Sequence, residues 1–124
     1  MPALDATITF LKVANLERSH RFYGDELGLS LVLDQGGCRI YRLGEDSFLG
    51  ICERPDSGPS NVIVTFVTED VAGWHEMMIA AGAAVDGPPR DNAEYRIHHF
   101  FATDPDGHLL EVQRFLDSGW AGHG

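Results

Sequence analysis

Glu111 is where a chemical reading of this chain starts. It lies in Leu109-Leu110-Glu111-Val112-Gln113, an apolar stretch that begins just after Asp104-Pro105-Asp106-Gly107. Proline presets φ at the second position of a tight turn and glycine closes it without steric cost, so these four residues reverse the chain. The resulting hairpin pairs Phe100-Phe101-Ala102 with the Glu111 strand and sets a carboxylate among aliphatic side chains. Such a carboxylate is costly unless it has a partner or a task; on an open edge strand it is simply solvated. His98 and His99 occupy the neighbouring strand, and because successive residues alternate, one of the two must share the face of Glu111. An imidazole there makes an acid–base pair with Glu111, or two ligands of a shifted metal site. A bulge between Phe101 and Asp104 would invert the parity, so the choice between His98 and His99 stays open. The plain alternative is a histidine hydrogen-bonded inside the sheet.

Lys12 is the only lysine. It can bind an acid group of a ligand, pair with Glu111, or cover apolar surface with its stem while its ammonium reaches water. Tyr41 stands between arginines on a further strand (Arg39-Ile40-Tyr41-Arg42), where either parity brings a polar group to the same side. His20 and His75 on helices and His108 at a turn read as surface residues. His123 belongs to a Gly-rich tail expected to be loose.

The elements that position these groups follow from patterning. Residues 7–13 read as a strand, and Asn15 can cap a helix that carries Leu16, Phe22 or Tyr23, and Leu27, until Gly28 stops it. Residues 29–34, 38–43 and 47–53 read as short strands separated by glycine-containing turns. The order then repeats: a strand at 61–67, a helix capped by Thr68 or Asp70 and stopped by Gly82, a short strand at 83–86, and strands near 95–103 and 108–115. Placing Ile8 on Val62 and Gly28 on Gly82 gives a duplicated βαβββ module. Module one spans about 6–53, a Pro/Gly-rich linker 54–60, module two about 61–115, and a tail 116–124, all within one domain.

Strand parity sorts the side chains into two faces. Leu11, Val13, Leu49, Ile51, Ile63, Val67, Leu110 and Val112 form an aliphatic face that should pack against the helices. Ile8, Phe10, Lys12, Phe48, Val62, Val64, Phe66, Leu109, Glu111 and Gln113 form the other, which is apolar with a few polar groups. A sheet apolar on both sides is covered on both, or curls around something. The expected class is α+β, a curved mixed sheet with an open cup and helices on its outer face.

Composition limits the partners. A chain of 124 residues with 44% hydrophobic content builds one core, not two independent ones. The formal charge of −10 excludes nucleic acid, whose phosphates need a basic patch; it favours solubility, or a cationic guest. No apolar run approaches the ~20 residues that cross a bilayer, and Met1-Pro2-Ala3-Leu4-Asp5 lacks the pattern of an export signal. Cys38 and Cys52 have no metal-ligand spacing and are expected as reduced thiols in a cytoplasmic protein.

The duplicated module ending in Asp-Pro-Asp-Gly-x-x-x-Glu, with Val13-Ala14-Asn15-Leu16-Glu17-Arg18-Ser19 through Phe22-Tyr23 and Leu27-Gly28-Leu29, resembles the vicinal oxygen chelate superfamily over residues 6–115. That superfamily holds glyoxalase I, bleomycin-resistance proteins, fosfomycin-resistance enzymes and extradiol dioxygenases. The resemblance implies a cup in which metal-using members hold one divalent cation with four strand residues, usually His, Glu or Gln. By position these places are Ile8, Gly50, Val62 and Glu111 here, and three of the four carry no donor. The position of Lys12 is similar to a basic residue that grips a substrate carboxylate in glyoxalase I.

Three functions are expected to compete. In the first, a metal-free binding protein of the bleomycin-resistance kind holds a drug or metabolite among Phe10, Lys12, Tyr41, Phe48, Val64, Phe66, His98 and Gln113. In the second, a rebuilt or metal-dependent enzyme uses Glu111 as general base or ligand, with His98 or His99 as its partner (His99 the candidate catalytic group) and Lys12 as the anion anchor. In the third, the cup is filled by the chain's own phenylalanines. No cofactor is expected under the first reading, with a divalent metal as the alternative. A sheet with two apolar faces also predicts a homodimer.

Overall fold

A computed structural model describes residues 2–117; His123 and most of the tail lie outside the described residues. Module one contains β1 (Thr7–Val13), α1 (Leu16–His20), which continues into a π-type segment (Arg21–Glu26), β2 (Ser30–Asp34), β3 (Cys38–Arg42) and β4 (Ser47–Glu53). Its sheet runs β1-β4-β3-β2, with β1 parallel to β4 and the other pairs antiparallel. Module two contains β5 (Ile63–Val67), α2 (Val71–Ala80), β6 (Ala84–Val85), β7 (Arg90–Asn92), β8 (Ile97–Thr103) and β9 (Leu109–Phe115). It repeats the plan as β5-β9-β8-β6, with β7 added on β8. The expected α+β architecture is therefore present, as two mixed sheets. The β7 strand is additional. Arg90-Asp91-Asn92 has no apolar alternation to announce it; its ladder with β8 and the Arg90–Asp86 pair hold it.

The helices begin and end as the caps dictate. Asn15 Oδ1 accepts the Arg18 N–H at 2.9 Å, and Glu53 Oε2 accepts the Leu16 N–H at 2.8 Å, so two of the unpaired amides of α1 are satisfied. Asp70 Oδ1 accepts the Gly73 N–H to start α2. Gly28 (φ +74°) and Gly82 (φ +85°) stop the two helical segments in the left-handed region. The expected aliphatic face is buried in one core cluster: Leu11, Val13, Leu49, Ile51, Leu110 and Val112 pack with Phe22, Tyr23, Leu27, Val71, Met78 and Phe100.

Strand β5 has the opposite parity from the one expected. Its ladder pairs Val64 with Leu110, Thr65 with Glu111 and Phe66 with Val112. Val64 and Phe66 therefore lie on the helix side, where the Phe66 ring meets Trp74 edge-on at 5.5 Å, while Ile63 and Val67 are exposed. The cause is a repeat phase one residue off. Phe10 stands opposite Gly50 in module one, as Thr65 stands opposite Glu111 in module two, so Ile8 corresponds to Ile63 and not Val62. Tyr41 also moves to the core. It pairs with Leu49, is fully buried, and its hydroxyl sits 2.6 Å from His20 Nδ1; burial pushes the phenol up to about 12.

The two cysteines are not free. Cys38 and Cys52 form a disulfide across β3 and β4, which removes the reduced-thiol argument for the cytoplasm. No helix among the described residues is long and apolar enough to cross a membrane.

The modules are joined at the β8–β9 turn. Asp106 Oδ1 accepts the Ala14 N–H (2.8 Å) and the Arg18 guanidinium (3.0 Å), and Oδ2 accepts the Ser19 hydroxyl (3.1 Å). Asp104 Oδ2 accepts the buried Tyr23 hydroxyl at 2.6 Å, and Oδ1 accepts the amides of Asp106 and His108. Burial, then the Asp104 charge, holds the Tyr23 phenol well above its ordinary value, so it stays a donor. His108 is buried and not a surface residue. Its Nδ1 accepts the Ser60 N–H, so Nε2 carries the proton and donates to the Lys12 carbonyl at 2.7 Å.

Two outcomes follow from these contacts. Asp106→Ala leaves the Ala14 amide and the Ser19 hydroxyl without their acceptor. It should cost about 2–3 kcal/mol in urea unfolding, against under about 0.5 kcal/mol for a surface control such as Glu94→Ala. Asp86 gives a pH signature. Its carboxyl is lowered from 3.8 to about 2, first by the Arg90 hydrogen bond, with help from the Phe101 amide. A depressed carboxyl stabilises the fold above its unfolded value and loses that contribution as pH falls through the folded one. Stability of the native protein should thus fall more steeply between pH 3.8 and about 2 than that of Asp86→Asn. Parallel acid-unfolding curves would contradict this.

Candidate functional site

The side of each sheet turned away from the core is its open face. In module two that face gathers Thr65 from β5, Glu111 and Gln113 from β9, and His99 and Phe101 from β8. The ladder pairs Thr65 and Phe101 with Glu111, and His99 with Gln113. Glu111 is the centre. Its Oε2 lies 2.9 Å from His99 Nδ1, and its Oε1 accepts the Thr65 hydroxyl at 3.2 Å. With the Gln113 amide turned nitrogen-inward, Nε2 stands 3.3 Å from both carboxylate oxygens. Side-chain exposure is 7% for His99 and 12% for Glu111, so the pair is largely shielded from water. The Phe101 ring meets the imidazole edge-on at 5.3 Å.

The β8–β9 ladder is continuous from Ile97 to Thr103, with no bulge, and this settles the histidine parity. His99 faces Glu111. His98 lies on the opposite side of the sheet beside Asp91 (2.8 Å), and so does not line the open face as a ligand contact. Of the other predicted ligand residues, Val64, Phe66 and Tyr41 are in the core, whereas Phe10, Lys12, Phe48 and Gln113 are on the open faces.

The open face of module one carries Ile8, Phe10, Lys12, Ile40, Phe48, Gly50 and the disulfide. Arg42 lies over the Phe48 ring at 5.0 Å. The Phe10 ring covers Gly50 so closely that a Cβ there would come within 2.3 Å of it. The Lys12 ammonium has no partner among the described residues. With the corrected register, the four positions at which metal-using relatives place donors are Ile8, Gly50, Ile63 and Glu111. Three have no donor atom, and the Phe10 ring fills the space before the one at Gly50. One carboxylate is too few donors for a divalent cation of any hardness. No cluster of three or more His, Cys, Asp or Glu able to hold a metal occurs among the described residues. The donor set does not fit a metal.

A cleft of ≈ 770 Å³ runs along β5 between the modules, lined by Thr7, Leu43, Phe48, Phe66, Trp74 and Phe115 among others. It does not include Glu111 or His99. Thr65 belongs to both, lining the cleft and donating to Glu111. Thr65 escaped the sequence reading, although it is the one hydroxyl in Val62-Ile63-Val64-Thr65-Phe66-Val67 and so marks which face is polar.

The pair has a chemical consequence. A carboxylate can only accept, so Nδ1 of His99 carries a proton, and the Nδ1–H tautomer has its lone pair on Nε2. That nitrogen has no partner among the described residues. Long-range ¹H–¹⁵N NMR of His99 should show the Nδ1–H tautomer, and Glu111→Leu should return the ring to the Nε2–H form. An Nε2–H tautomer in the native protein would contradict the geometry.

Comparison with known proteins agrees with this fold. A model of the Glyoxalase/Bleomycin resistance protein/Dioxygenase superfamily matches residues 6–112. The "uncharacterized protein YraH" of Bacillus subtilis (strain 168) is 26% identical over 123 residues, covering 86% of this chain and 94% of that protein. Among solved structures, a glyoxalase/bleomycin resistance protein/dioxygenase from Nocardioides superposes with TM-score 0.76 at 22% identity, covering 98% of this chain and 90% of that one. A glyoxalase-related enzyme from Fulvimarina pelagi gives 0.75 at 22% identity, with 94% of each chain covered. These likenesses carry the fold; the family match carries membership. The chain belongs to the glyoxalase/bleomycin resistance protein/dioxygenase superfamily.

Proposed function

We propose that this protein binds a small organic molecule, a drug or metabolite, without a divalent metal. The observation that carries the reading is the replacement of metal donors at Ile8, Gly50 and Ile63 around a Glu111 whose hydrogen bonds go to protein side chains. A mostly apolar surface with a few fixed polar groups is how small-molecule sites are built, and the cleft volume falls within their usual range of roughly 300–1,000 Å³. The ligand lies along β5, its apolar part against Phe48 and Trp74. Thr65 is its link to the Glu111 anchor. The exposed Ile63 and Val67 of module two suit a second copy of the chain, and a homodimer is part of this reading.

A second reading rests on one specific contact. His99 Nδ1 against Glu111 leaves Nε2 as a general base held in orientation by a carboxylate, the arrangement that moves protons without a metal. In that case the carboxylate orients and the imidazole reacts, the reverse of the roles expected from sequence.

The test grafts donors. Ile8→His/Ile63→His, joined to Glu111, should gain Ni²⁺ or Zn²⁺ binding by titration calorimetry, while the native protein shows none and sediments as a dimer at micromolar concentration. In a thermal-shift screen, hits on the native protein should weaken at least about tenfold in Thr65→Val, the scale of one lost hydrogen bond to a charged-group network. Metal binding by the native chain, or hits indifferent to Thr65, would overturn the proposal.

A further inference from the structure

We infer that Cys38–Cys52 is a reversible dithiol/disulfide couple on the open face of module one, with Lys12 as the neighbouring charge that favours the Cys52 thiolate.

Placement is the first argument. The two cysteines are directly opposed on adjacent antiparallel strands, with Cα atoms 4.1 Å apart. The bond links strands that are already joined by the Cys38–Arg42 to Phe48–Cys52 ladder. Breaking it therefore leaves both sulfurs in place, held by backbone hydrogen bonds. A disulfide that staples distant segments acts chiefly by closing a loop; here the hairpin closes the same loop itself.

Access is the second argument. Both cysteines are only partly buried, on the face that also carries Phe10, Ile40 and Gly50. Charge is the third. Lys12 pairs with Cys52 in the parallel β1–β4 ladder, on the same face, and its ammonium has no partner among the described residues. A cation beside a thiol favours the thiolate. Among the described residues paired with Cys52 in the β1–β4 and β3–β4 ladders, the other ionisable group on that face is Cys38 on β3. Glu53 and Arg39 turn to the helix side, where Glu53 caps α1 and Arg39 pairs with Glu17.

The exchange partner is a small dithiol. Its thiolate attacks one sulfur, the S–S bond breaks, and the other sulfur leaves as a thiolate. The dithiol's second thiol then closes the mixed disulfide, releasing the first cysteine. The chain gains two electrons and two protons and the dithiol becomes a cyclic disulfide. The open face of module one thereby changes from one cystine to two thiols.

The full chain, without denaturant, is equilibrated over a range of reduced-to-oxidised dithiothreitol ratios, alkylated, and weighed by mass spectrometry. Both cysteines should take the label together and reversibly while the circular dichroism stays native. In Cys38→Ser, iodoacetamide labelling of Cys52 at neutral pH should slow by about threefold or more when Lys12→Met is added, with its pH profile moving upward. Where Cys38→Ser is not folded, Lys12→Met alone should slow native-state exchange with dithiothreitol by a similar factor. Labelling only after unfolding, a chain never oxidised at any ratio, or rates indifferent to Lys12 would each overturn the inference.

Discussion

Asp104 and Asp106 leave one β-turn and bind different parts of module one: Asp104 takes the Tyr23 hydroxyl, and Asp106 takes the Ala14 amide just before α1 and the Arg18 and Ser19 side chains on it. Buried carboxylates of this kind are tolerable only because each accepts three hydrogen bonds, which replace the water they lose. His108, two residues on from Asp106, fastens the same turn to the β1 backbone and to the linker. The turn thus acts as the joint between two modules whose sheets are separate. It also fixes the start of β9, and with it the height of Glu111 relative to β5 and β8.

That joint explains why a carboxylate and an imidazole can face each other with little water between them. Both strands of the hairpin grow from the turn in register, so His99 and Glu111 are held by ladder geometry and not by flexible loops. Thr65 enters from the third strand through the parallel β5–β9 pairing. The site is built wholly on strands, which favours precise orientation. Module one, by contrast, offers an open face in which Phe10 over Gly50 occupies the place of a donor. Duplication has left the two halves chemically unlike: one polar and paired, the other apolar with a cystine and one free ammonium.

Much of this was legible in the sequence. The repeat order, the Asn15 and Asp70 caps, the glycine stops and the hairpin turn are local signals, and the structure uses all of them. Parity was legible where polar residues alternate with apolar ones, as in β9, where Glu111 and Gln113 mark one face. It was not legible in β5, because a run of branched aliphatics reads the same in either phase, and a one-residue slip exchanges the two faces. Tyr41 and His108 are polar groups buried by partners distant in the chain, His20 in one case and Ser60 and the Lys12 carbonyl in the other. No local pattern encodes such partners. The disulfide depends on strand register, which a separation of 14 residues does not reveal.

The central claim is that Glu111 serves a metal-free site. Elemental analysis of the native protein, purified without chelator or affinity metal and desalted, tests it most directly. The account predicts no divalent metal retained in proportion to the chain. One equivalent of zinc, nickel, iron or manganese, lost in Glu111→Ala, would contradict it.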